Sequence, residues 1–289
     1  SFSGLIFLLD MPIHRIGTIM APLIIRSATS WELSAIPMFV WMGEIMFRTD
    51  ISNRLFRGLS PIVHYLPGRL LHTNVIGSAL FAAVSGSSAA TTATVGKITT
   101  TELLKRNYSK SLAFGSLAGA GSLGLLIPPS IVLIVYGVLA EVSISRLFAA
   151  GVYPGILIAT LYSGYIMIRC LINPSLAPTL QEKPTFKDIA FGLINLIPIT
   201  ILIIIVLGSI YSGIATPSEA AAVGVLATII LTVLTRQLSM EVFLDSLMGA
   251  VRTSCMIASI LLAAAFLSTS MAFLHVPQEV AAGIAKLNL

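Results

Sequence analysis

Ser85-Gly86-Ser87-Ser88-Ala89-Ala90-Thr91-Thr92 interrupts one strongly apolar stretch, and Gly124-Leu125-Leu126-Ile127-Pro128-Pro129-Ser130 interrupts the next. A bilayer offers no water to stray backbone groups. Helix-breaking sequence at membrane depth therefore persists only where it lines a cavity or binds something. Paired breaks near the midplane are the form in which many secondary transporters hold substrate and coupling ion.

The surrounding composition supports membrane depth. The 289 residues are 56% hydrophobic and 10% charged, with a mean hydropathy of +0.96, whereas soluble domains carry about 25% charged residues. The apolar runs are continuous and lack the two-residue alternation of a barrel, which predicts an all-α membrane protein. The net charge of +5 is dispersed over connecting segments and reads as topology information; no nucleic-acid partner is expected, and the bilayer is. Cys170 and Cys255 fall inside apolar spans, so neither a disulfide framework nor a metal cluster is indicated. Ser1-Phe2 begins within an apolar stretch and Leu289 follows an amphipathic one, so both ends are expected to be cut.

Apolar spans fall at 3–9, 12–28, 33–47, 75–95, 112–140, 148–170, 189–211, 217–235 and 252–274. Arg48, Arg54, Arg57 and Arg69 precede the 75–95 span, and Lys97, Lys105, Arg106 and Lys110 follow it. Basic flanks mark the cytoplasmic side, so this segment is expected to enter and leave from one side as a re-entrant hairpin. The span 112–140 then crosses as a broken helix, and the spans after it alternate in agreement with the charge bias.

Met11-Pro12 and Thr216-Pro217 each open a span followed by a spacer, a further span and an amphipathic stretch (Asp50–Leu66 and Pro277–Leu289), an order that suggests an inverted repeat whose second copy is incomplete. The expected organisation is scaffold helices at 1–48, an amphipathic arm at 49–74 and half of a transport domain at 75–170. Within that half lie the hairpin (75–96), the broken helix (112–140) and a following helix (148–170). The second repeat begins at 171–274, and 275–289 is its arm.

At the hairpin tip, glycine permits reversal, while hydroxyls and freed carbonyls offer hard oxygen ligands. The helix leaving the tip presents unpaired N–H groups, which suit an anion. At the second break two prolines remove two N–H donors, so the carbonyls of about Gly124 to Ile127 lose helical partners. Pro129-Ser130 suits the first turn of a new helix. Thr216-Pro217-Ser218-Glu219 has the form of a capped helix start, and Glu219 reads as structural. No acidic residue lies mid-span, which disfavours a carboxylate proton relay and favours sodium held by neutral oxygens.

No metalloprotease or nucleotide-binding motif is present, and the histidines at 14, 64, 72 and 275 read as interfacial, away from the tip serines. An intramembrane serine enzyme is therefore the weaker alternative, and no enzymatic activity is expected.

The tip motif, together with Gly121-Ser122-Leu123-Gly124-Leu125-Leu126-Ile127-Pro128-Pro129-Ser130, strongly resembles the large membrane subunit of the tripartite ATP-independent periplasmic (TRAP) transporters. Supporting matches are Ala35-Ile36-Pro37-Met38-Phe39 with Gly43, Leu147-Phe148-Ala149-Ala150-Gly151-Val152-Tyr153-Pro154-Gly155, and Gly213-Ile214-Ala215-Thr216-Pro217-Ser218-Glu219. The resemblance implies an elevator-type, sodium-coupled importer of organic acids such as dicarboxylates or sialic acid. It would be multi-pass in the inner membrane of a bacterium or archaeon.

Its implied partners are a small four-helix membrane subunit and a periplasmic substrate-binding protein. Carried over by position, the family's sodium site comprises Ser85 and Ser87 with carbonyls around Gly124, Ile127 and Pro129. Ser88, Thr91, Thr92 and Ser130 would bind substrate. Lys97-Ile98-Thr99-Thr100-Thr101-Glu102 departs from the family's pattern after the hairpin. A stand-alone divalent-anion and sodium symporter is the nearest alternative.

Overall fold

The computed structural model describes residues 29–178, 184–273 and 275–286, together with positions 17, 18, 21, 22 and 25. Helices α1 (Ala35–Arg48) and α2 (Ile51–Val63) precede the two hairpin arms, α3 (His72–Ser85) and α4 (Ser88–Lys105). The broken helix follows as α5 (Lys110–Gly121), a single turn α6 (Leu123–Leu126) and α7 (Ile131–Leu139). Then come α8 (Ile144–Ile172), α9 (Phe186–Tyr211), α10 (Pro217–Leu234), α11 (Met240–Phe273) and α12 (Val276–Lys286). No strand occurs among the described residues, as the continuous apolar runs predict.

Among the described residues, five helical segments are long and apolar enough to cross a membrane: Lys110–Leu139, Ile144–Ile172, Phe186–Tyr211, Pro217–Leu234 and Met240–Thr269. The hairpin arms are not among them. Glu32–Val251 form one compact unit, which holds both breaks, and the segments outside it form a second.

Within the larger unit the helices meet through small residues. In hydrocarbon, burial of apolar surface gives no net drive, so close backbone approach and dispersion take its place. A Cβ added at Gly58 of α2 would lie 2.8 Å from the Gly192 carbonyl oxygen of α9, so these two helices cross almost backbone to backbone. On α10, Gly224 seats the sulfur of Met42 from α1, where a Cβ would come within 2.8 Å. Helix α2 is the predicted amphipathic arm: Ile51, Leu55, Leu59 and Val63 are buried, while Asn53 and Arg57 are exposed. The start of α10 is the capping box read from sequence. Thr216 N–H donates to Glu219 Oε2 (2.8 Å) and Glu219 N–H donates to Thr216 Oγ1 (3.4 Å).

Three features differ from the sequence reading. The hairpin arms reach further than 75–96, because Leu70, Leu71 and Leu103 pack with Tyr108 and Ile166 in a buried cluster that extends both arms at their base. Helix α11 begins at Met240, twelve residues before the apolar span at 252–274. Its first turns carry Glu241 and Asp245, which hide a helix from an apolar-run criterion, and Asp245 pairs with Arg48 at 3.5 Å. His72, expected at an interface, is fully buried within the protein at the foot of the hairpin. The 3–9 span, most of 12–28, His14 and the start of the first repeat lie outside the described residues.

His72 makes the hairpin foot sensitive to acid. Its Nε2 lies 2.8 Å from the Pro67 carbonyl oxygen, which fixes the proton there, while Nδ1 is buried without a partner among the described residues. Burial pushes its pKa below the ordinary 6.5, opposed in part by the Pro67 carbonyl. The folded state then binds fewer protons than the unfolded one. Stability is complete above about pH 6.5 and declines as pH falls through and below it. The melting midpoint of the detergent-solubilised protein is expected to fall between about pH 7 and 5, and His72→Asn should flatten that slope. A wild-type slope no steeper than that of His72→Asn would contradict the assignment.

Candidate functional site

The hairpin turns on two residues. Gly86 caps α3 in the left-handed region at φ 64°, with its N–H donating to Ala82 O at 3.0 Å. Ser87 is extended (φ −122°, ψ 121°) and caps α4, its hydroxyl accepting from Ala90 N–H at 3.3 Å. Among the described residues, the amides of Ser88 and Ala89 donate to no acceptor. The tip thus presents free N–H groups at the positive end of an 18-residue helix. Beneath it, the hydroxyls of Ser85 and Thr91 lie 3.0 Å apart, both buried.

The second break follows from its prolines. Pro128 and Pro129 supply no N–H, their peptide bond is cis, and the residues on either side, Ile127 (ψ 121°) and Ser130 (φ −122°, ψ 129°), are extended. Ile127 N–H still reaches Leu123 O (2.8 Å), and the buried Ser130 hydroxyl donates to Leu125 O (2.8 Å). The carbonyls of Gly124, Ile127 and Pro129 accept no hydrogen bond from the described residues.

The two breaks are seated on each other. Ile131 N–H, the first of α7, donates to the Gly86 carbonyl at 3.0 Å, so the tip supplies the acceptor that the break removed. Ser88 Oγ donates to Gly121 O at 2.8 Å, joining the start of α4 to the end of α5. A Cβ at Gly124 would lie 2.8 Å from both the Ser88 nitrogen and its Cα, and one at Gly86 would lie 2.9 Å from the Pro129 carbonyl oxygen. Two further glycines close the seat. Gly43 of α1 lets the Ser85 side chain approach, and Gly151 of α8 lies under the Leu126 carbonyl.

The sequence-predicted residues therefore divide. Ser85, Ser87, Gly124 and Pro129 converge at the tip-to-break contact. Ile127 lies at the start of the same break, with its side chain against Gly155 of α8. Ser88, Thr91 and Thr92 surround the tip, although their hydroxyls serve the fold. Thr91 faces Ser85, Ser88 bonds to Gly121, and Thr92 Oγ1 donates to Ser88 O at 2.8 Å. The Ser130 hydroxyl closes the break itself. The roles of Gly43 and Gly151 in the seat were missed, and the available signal was a glycine within each apolar helix. The site carries no charged side chain; the first downstream, Lys97, stacks over Phe47 at 5.7 Å.

Five helical segments apolar enough to cross a bilayer, and no strand, among the described residues make this a multi-pass, helical membrane protein, and the hairpin tip docked on the broken helix is its candidate polar site. The chain belongs to the family "Tripartite ATP-independent periplasmic transporter, DctM component", whose model matches residues 2–289. It is similar to the C4-dicarboxylate TRAP transporter large permease protein DctM of Vibrio cholerae, with 34% identity over 230 residues, covering 76% of this chain and 48% of that protein.

It is also similar to the ectoine/5-hydroxyectoine large permease UehC of Ruegeria pomeroyi, with 33% identity over 89% of this chain and 60% of that protein. The sialic acid large permease SiaM of Vibrio cholerae shows 31% identity over 87% of this chain and 58% of that protein. The chain thus matches about half to three-fifths of the length of these curated relatives.

The seat is tested at Gly124, which packs directly on the tip backbone. Gly124→Ala should destabilise the detergent-solubilised protein by about 1–3 kcal/mol through overpacking against backbone. Gly115→Ala, whose Cβ meets nothing within 4 Å, should leave the melting midpoint unchanged or raise it slightly. Equal effects at both positions would contradict the docked geometry.

Proposed function

We propose that this chain is the part of a TRAP large permease that builds one coupling-ion site and half of a substrate site, in a sodium-driven importer of organic acids. The observation that carries this reading is the set of carbonyls at Gly124, Ile127 and Pro129 that accept no hydrogen bond from the described residues, in a break whose backbone packs on the hairpin tip that carries Ser85 and Ser87. Neutral hard oxygens at a dehydrated site suit a monovalent alkali cation. The free amides of Ser88 and Ala89 suit a carboxylate. A cation beside that helix start would strengthen anion binding by direct attraction, which is the electrostatic basis of symport.

The substrate class is a small organic anion. Relatives are named for C4-dicarboxylates, ectoine and sialic acid, a spread of carboxylate-bearing solutes that fits selection by a separate periplasmic binding protein. Small-subunit and binding-protein partners, an inverted repeat, elevator movement and residence in the inner membrane complete the proposal on family grounds.

Proteoliposomes holding the full-length permease, its small subunit and the cognate binding protein provide the test. Ser87→Ala should raise the sodium concentration for half-maximal uptake about tenfold, equivalent to about 1.4 kcal/mol. Ser87→Thr, which keeps the hydroxyl, should shift it far less. An unchanged sodium dependence in Ser87→Ala would remove Ser87 from the site.

A further inference from the structure

A groove of about 520 Å³ runs between α5 and α8, from Ser109 to Gly119, within the range of ligand-sized pockets. Its chemistry is graded along its length. One end holds the Ser109 and Ser111 side chains and the exposed Arg169, whose guanidinium lies 6.0 Å over the Tyr165 ring. Deeper lining comes from Gly115, Gly119, Leu161 and Tyr162.

From Ser109 to Gly119 is ten residues, about 15 Å of helix, which matches the hydrocarbon depth of one leaflet. The outer face of α8 beside it is apolar and exposed, with Leu157, Leu161, Tyr165 and Ile168. Arg169 forms no ion pair with a carboxylate among the described residues, and Lys110 beside Ser109 is exposed. Glu102, the acid on the neighbouring arm, is engaged by Lys105 (3.8 Å) and Arg106 (3.5 Å).

We propose that this groove binds an acidic phospholipid, with the phosphate against Arg169, Ser109 and Ser111 and one acyl chain laid along Gly115 and Gly119. Charge complementarity names the head group, because an unpaired guanidinium and exposed lysine at a helix-pair mouth match an anionic head. The leaflet-deep apolar run, open sideways onto lipid-facing α8, names the tail. A soluble organic anion would leave that run unfilled. The proposal depends on α5 and α8 spanning the membrane and is independent of sodium coupling.

Native mass spectrometry of the purified full-length permease, titrated with palmitoyl-oleoyl phosphatidylglycerol or the phosphatidylcholine analogue, tests it. The wild type should retain phosphatidylglycerol about fivefold better, the effect of about one basic side chain at the lipid surface. Arg169→Gln should abolish that preference, while Arg146→Gln, on the residue opening α8 at its other end, should preserve it. Gly115→Leu fills the groove from a position with open space and should reduce retention of both lipids. Equal retention of the two lipids by the wild type would overturn the proposal, as would wild-type behaviour in Arg169→Gln or Gly115→Leu. So would competition by soluble glycerol phosphate as effective as the lipid itself, which would indicate a pocket for soluble anions.

Discussion

The hydrogen bond from Ile131 N–H to the Gly86 carbonyl is the contact on which the architecture turns. Neither break is sustainable by itself. A hairpin tip ends one helix and starts another, and Pro128-Pro129 strips donors from a third. In water these groups would be solvated, whereas in hydrocarbon each unsatisfied group costs several kcal/mol. Docking one break on the other satisfies part of the deficit, through Ile131 to Gly86 and Ser88 to Gly121. What remains unsatisfied is a set of carbonyls at the break and amides at the tip, and that unmet polarity marks the candidate site.

Close docking demands small residues, and this links the site to the rest of the fold. Gly124 admits the Ser88 backbone, and Gly151 admits the broken turn from the α8 side. The same device recurs where α2 crosses α9 at Gly58 and Gly192. A bilayer protein of this composition is therefore held by backbone proximity more than by bulky core side chains. Large side chains, Phe39, Phe81 and Phe148 among them, are fully buried in the same unit. Side faces left free by this packing, that of α8 among them, are apolar.

Much of this was legible because the decisive signals are local. Gly86 between serines and the Pro128-Pro129 pair dictate backbone behaviour wherever they occur, and Thr216 with Glu219 writes a cap in four residues. The partners of the hydroxyls were not legible. Ser130 and Thr92 look like free ligands in sequence, yet each is bonded to a nearby carbonyl, and only the folded backbone reveals which carbonyls lack donors. The early start of α11 was hidden for a different reason. Charges in its first turns are neutralised by tertiary partners, as Asp245 is by Arg48, and no apolar run announces them.

Hydrogen exchange of the full-length permease in lipid nanodiscs, compared in sodium and in potassium, tests most directly whether the two breaks act as one site. Sodium is expected to slow exchange together at Ser88–Thr92 and at Ile127–Ile131, with potassium leaving both unchanged. Protection of one segment without the other, or equal protection by the two ions, would contradict the account.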